Sequence, residues 1–94
     1  MIKPKVYHYS ISANTPYTFN FDVDCSTFLV KNMGNDKVQL SYGDEIDNDS
    51  YILIMPKTAE VIYSRAYTTP DTETNKVTVL SIGNCDVEIR LLEY

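Results

Sequence analysis

Tryptophan is absent from this chain, histidine occurs once, and the three glycines stand apart at positions 34, 43 and 83. Isolated glycines cannot build a phosphate-cradling loop, and neither a GxSxG nor an HExxH pattern occurs. His8 has no identifiable base or nucleophile partner and reads as a surface histidine. Asp22 and Asp24 lie two apart on one strand face, as paired hydrolase carboxylates would, but here they mark a strand end. No catalytic residue and no cofactor is expected.

Cysteine is scarce too. Cys25 and Cys85 are far apart and have no second Cys or His at ligand spacing, which leaves a zinc-site reading almost no support. They are expected to be buried thiols in the core, with a disulfide between them as the alternative. The eight basic residues are scattered singly and the net charge is -5, so no basic track is available for nucleic acid or an anionic membrane. No apolar run nears the roughly 20 residues of a spanning helix, and the opening Met1-Ile2-Lys3-Pro4-Lys5 is not a secretory leader.

What remains is a globular composition: 44% apolar residues and eight tyrosines among 94 residues, enough for one core. Helical periodicity is nearly invisible, whereas two-residue alternation recurs between clusters of Asn, Asp, Gly, Pro and Thr. The expected fold is a single all-β domain over residues 1–94, an antiparallel sandwich or jelly roll of about eight short strands.

Alternation places Tyr7, Tyr9 and Ile11 on one face of a strand over Val6 to Ser12. In Tyr17 to Val23 it turns Tyr17, Phe19, Phe21 and Val23 inward. Thr27 to Asn32 and Lys37 to Tyr42 flank Met33-Gly34-Asn35-Asp36, which predicts a hairpin with Val38, Leu40 and Tyr42 on the core face. Ala59 to Ser64 predicts a strand with Val61 and Tyr63 inward, followed by a long polar connection from Arg65 to Thr74. Lys76 to Ile82 and Cys85 to Leu92 predict a second hairpin about Gly83-Asn84, with Val77 and Val79 facing Val87, Ile89 and Leu91.

Two segments are candidates for function. Tyr51-Ile52-Leu53-Ile54-Met55 is continuously apolar, so both its faces require cover, one from the core and the other from a partner. Asp44, Glu45, Asp47 and Asp49 form an acidic loop with enough oxygens to suggest calcium, although the spacing is not that of an EF-hand. These carboxylates, with Tyr67 as a ring for stacking on sugars, make a carbohydrate-binding module for cell-surface glycans the alternative function.

The middle third of the chain, Val30 to Glu45 (VKNMGNDKVQLSYGDE) followed after an acidic spacer by Tyr51 to Pro56 (YILIMP), resembles small β proteins of tailed bacteriophages. Here Met55 precedes the proline. The resemblance implies a non-enzymatic virion component, a capsid decoration or another protein of the head or head-tail region. Its partners would be the major capsid or other virion proteins, and it would be assembled in the host bacterial cytoplasm as a homo-oligomer. It implies no catalytic residue.

Overall fold

The computed structural model describes residues 5–63 and 74–94. Eight strands follow one another: β1 (Val6–Ile11), β2 (Tyr17–Cys25), β3 (Thr27–Asn32), β4 (Val38–Tyr42), β5 (Ile52–Ile54), β6 (Thr58–Tyr63), β7 (Thr74–Ser81) and β8 (Cys85–Glu93). They form two four-stranded sheets with spatial orders β1-β8-β3-β6 and β2-β7-β4-β5. Every pairing is antiparallel.

The strand order has a simple logic. The first four strands pair with the last four in reverse, β1 with β8, β2 with β7, β3 with β6 and β4 with β5. The chain thus doubles back at the loop after β4 and rolls up, and the β3·β8 and β4·β7 pairings join the ladders into two sheets. This is the arrangement of a jelly roll.

The sheets close on a core in which Phe19, Phe21, Phe28, Leu40, Ile54 and Ile89 are buried. β2 shows most plainly how sequence dictates this: its alternating apolar residues Phe19 and Phe21 turn inward, while Asn20 and Asp22 stay exposed. Val77, Val79, Val87, Ile89 and Leu91 are buried as the alternation requires. Neither Cys25 nor Cys85 is in a disulfide, and both thiols lie in the core. On one open side, Tyr9 of β1 stacks on Tyr17 of β2 with ring centroids 3.6 Å apart, and Tyr7 leans on Phe21 at 5.3 Å.

Three local expectations are corrected. Neither glycine-containing turn makes a hairpin: β3 and β4 lie in different sheets, as do β7 and β8, so Met33–Lys37 and Ile82–Asn84 are arches. Gly34 and Gly83 serve close approach instead of a left-handed turn. A Cβ at Gly34 would run into the Cys85 side chain, and one at Gly83 into the Asp36 carboxylate. The two arches therefore pack on each other at one end of the sandwich. The one left-handed glycine among the described residues, Gly43 at φ 92°, opens the loop of the hairpin that does form, between β4 and β5.

In β6 the inward residue is Ile62, 1% exposed, whereas Val61 and Tyr63 point out. Val61, Ile62 and Tyr63 are all apolar, so alternation cannot choose the face; the register does, by setting Ile62 against buried Phe28. The Tyr51–Met55 run is covered by the core on one face. β5 spans three residues, Ile54 is buried and Ile52 packs on the core, while Tyr51, Leu53 and Met55 are 40–47% exposed.

Candidate interaction surface

The outer face of the β2-β7-β4-β5 sheet divides into a covered half and an open half. In register across it lie Thr18 of β2, Thr78 of β7 and Ser41 of β4. Polar residues in this phase would ordinarily face solvent, yet Thr78 and Ser41 are buried. The acidic loop explains this by folding back over them. Thr78 Oγ1 donates to the Gly43 carbonyl at 2.9 Å and lies 2.8 Å from Thr18 Oγ1, which reaches the Asp44 carbonyl at 3.4 Å. Ser41 Oγ accepts the Asp47 N–H at 3.0 Å and donates to the Ser50 carbonyl at 3.3 Å.

Hydroxyls thus anchor the loop's backbone, and the side chains of Asp44, Glu45, Asp47 and Asp49 are left outside. Asp47 Oδ1 accepts the Asp49 N–H at 2.9 Å, an Asx-type turn within the loop. Among the described residues, no three His, Cys, Asp or Glu side chains converge as a metal site. Calcium therefore gains no support from the loop's geometry. Tyr67 lies outside the described residues.

The open half begins one register step away, where Leu80 of β7, Gln39 of β4 and Leu53 of β5 lie side by side. They floor a trough of about 480 Å³, whose walls include Pro56, Lys37 and Ile82. Ile82 is 74% exposed, an unusual state for a residue of that hydrophobicity. Of the Tyr51–Met55 run, only Leu53 lines this trough. The sequence carried a signal for its other apolar members: Leu80 and Ile82 continue the β7 alternation in its outward phase, where polar residues belong.

The outer face of the other sheet is polar at its centre. Glu88 lies 3.5 Å from Lys31 and 3.3 Å from Arg90, pairs exposed enough to contribute no more than about 1 kcal/mol each. His8 sits opposite Glu88, and Ser10 donates to the Asp86 carboxylate. All of these are ladder neighbours on an open sheet face, with no enclosed cleft to exclude water from a reaction. Asp22 and Asp24 are exposed on β2.

The arch end holds a buried polar group with four hydrogen bonds, which sequence reading did not single out. Asn32 is 1% exposed; its Nδ2 donates to the carbonyls of Asp36 at 2.7 Å and Ile54 at 3.1 Å. Its Oδ1 accepts from the Gly34 N–H at 2.9 Å and the Cys85 thiol at 3.0 Å. Burial pushes the Cys85 thiol above its ordinary value, and the neighbouring carboxylates Asp86 and Asp36 push the same way. A raised thiol keeps its proton to higher pH and so offers less thiolate than an ordinary cysteine.

No helix among the described residues is long and apolar enough to cross a membrane. Comparison with known proteins returned no matching family model, no matching curated protein and no matching solved structure.

Proposed function

We propose that this domain is a non-enzymatic structural protein of a tailed bacteriophage particle, a capsid decoration or head-associated protein that binds major virion proteins. The observation that carries the docking part is the open trough. Leu53, Leu80, Pro56 and the protruding Ile82 present apolar surface on a sheet whose other half is closed by its own loop. A small domain gains by burying such a surface against a partner. The virion setting is supported by the phage-like Val30–Glu45 and Tyr51–Pro56 segments. By fold-level analogy it is also supported by the jelly roll, an architecture that capsid and lectin domains share.

The test is co-sedimentation of purified protein with phage heads isolated before and after tail attachment. Saturable binding at a fixed ratio to the major head protein is expected. A protein that stays in the supernatant with both preparations contradicts the reading. Because lectins share the architecture, glycan binding is the alternative; an array that stays blank with and without calcium removes it.

A further inference from the structure

We propose that two copies of this chain pair through the free edge of β6, antiparallel about a two-fold axis at Val61, to make a continuous eight-stranded sheet. This goes beyond the docking reading and does not rest on it, since the β6 edge is not part of the trough.

The four sheet edges differ in how well they are protected against strand pairing. β5 spans only three residues. β2 has a register irregularity between Asn20 and Cys25 and carries Asp22 and Asp24, and its Asp22 N–H reaches the Tyr7 hydroxyl at 3.4 Å. β1 is tied across the sandwich to β2, where its Tyr7 and Tyr9 rings pack on Phe21 and Tyr17. β6 carries a single charge, Glu60, and has none of the other devices. It runs six residues in unbroken register with β3 and has no lysine or proline. Among the described residues, no backbone group of Ala59–Tyr63 bonds beyond that ladder. Its Val61 and Tyr63 are 40% and 57% exposed.

An edge of unpaired N–H and C=O groups is complementary to another extended strand, and its side chains select which one. A two-fold axis perpendicular to the sheet keeps outward residues opposite outward residues, so only every second register is allowed. An axis at Glu60 sets two carboxylates directly opposite each other, which is unfavourable. An axis at Ile62 leaves Val61 to Tyr63 as the only paired stretch. An axis at Val61 pairs Ala59 through Tyr63: each Tyr63 ring lies over the partner's Ala59, Val61 meets its own copy, and each Glu60 faces the partner's Ile62. Avoidance of a Glu60 pair and size complementarity at Tyr63 and Ala59 thus favour one register, and the contact is isologous, so it closes at two copies.

The test is register-specific cross-linking with oxidised glutathione, in which two thiols exchange with the glutathione disulfide to form one protein disulfide and release two glutathiones. Directly opposed antiparallel residues have Cα atoms about 4.5–5.5 Å apart, inside the roughly 4.4–6.8 Å range of disulfides. Val61→Cys is therefore expected to give covalent dimer at least tenfold faster than Leu92→Cys, an exposed control on β8. The native thiols Cys25 and Cys85 are buried and give a low background. In sedimentation equilibrium, Val61→Glu is expected to weaken self-association of the otherwise native chain about tenfold or more, because it places two carboxylates on the axis. Equal cross-linking at Val61→Cys and Leu92→Cys, or unchanged self-association in folded Val61→Glu protein, overturns the proposal.

Discussion

Replacing Asn32 by leucine should be among the most damaging single changes in this protein. The volume is nearly kept, but four groups lose a hydrogen bond at once: the carbonyls of Asp36 and Ile54, the Gly34 N–H and the Cys85 thiol, which keeps only a 3.5 Å contact to the Asp86 carbonyl. The Asp36 and Gly34 groups lie at the partly exposed arch and can recover water, and a thiol is a weak donor. The Ile54 carbonyl is the costly one, because its bond to Asn32 is buried. An unsatisfied buried group costs about 1–3 kcal/mol, so with partial losses at the other three the change should cost about 3–4 kcal/mol. For a domain of this size each kcal/mol lowers Tm by about 4–8 °C, which gives a fall of at least 12 °C. Urea unfolding followed by circular dichroism measures it directly, with the slope m expected to stay constant. A loss under 1 kcal/mol would refute the assignment of Asn32 as the tie between the arch, β5 and β8.

Further predictions follow from the corrected faces and arches. Ile62→Ala should cost about 2–4 kcal/mol in urea unfolding, while Val61→Ala should stay within roughly 1 kcal/mol; the reverse order would restore the opposite β6 face. Gly34→Ala should destabilise more than Gly83→Ala, since the added methyl meets the packed Cys85 side chain in one case and a movable Asp36 carboxylate in the other; equal effects in thermal melts would argue against tight arch packing. The raised Cys85 thiol gives a pH signature. The unfolded chain loses this proton near the ordinary value of 9.0 and the folded chain only above it, so its stabilisation is full below pH 9 and declines as pH rises beyond. Unfolding midpoints at pH 8 and pH 10 should therefore diverge more in the native chain than in Cys85→Ala, and parallel shifts would contradict this.

The sheet faces were legible wherever alternation was unambiguous. Phe19 and Phe21 in β2 and Val77 and Val79 in β7 each flank a polar residue, so one reading of the face was available. β3 was bounded correctly at Thr27–Asn32 for the same reason that its neighbours Ser26 and Met33 end the pattern. The β6 face was not legible, because Val61, Ile62 and Tyr63 supply apolar groups to both sides and only pairing with β3 decides between them. The arches were misread because glycine near a reversal has two physical uses. Gly34 and Gly83 look like turn residues, yet they are small to admit Cys85 and Asp36, which lie far off in sequence.

The same division holds at the surface. The acidic segment was legible as a loop, but its folding back onto the sheet depends on Thr18 and Thr78, 26 and 35 residues from the carbonyls they hold. The run Tyr51–Met55 identified Leu53 as exposed apolar surface; the rest of the trough comes from β7 and from Pro56, which the β4·β5 and β4·β7 registers bring beside it. Jelly-roll pairing joins the first half of the chain to the second in reverse order, and such long-range register leaves no mark in any short window of sequence.

The docking claim is tested most directly by co-sedimenting isolated phage heads with the native chain and with Leu53→Asp, a change on the exposed face of β5 that leaves the core intact. The account predicts that the native chain pellets with heads at a fixed ratio and that Leu53→Asp, folded and equally concentrated, remains in solution. Equal pelleting of the two, or no pelleting of either, would contradict it.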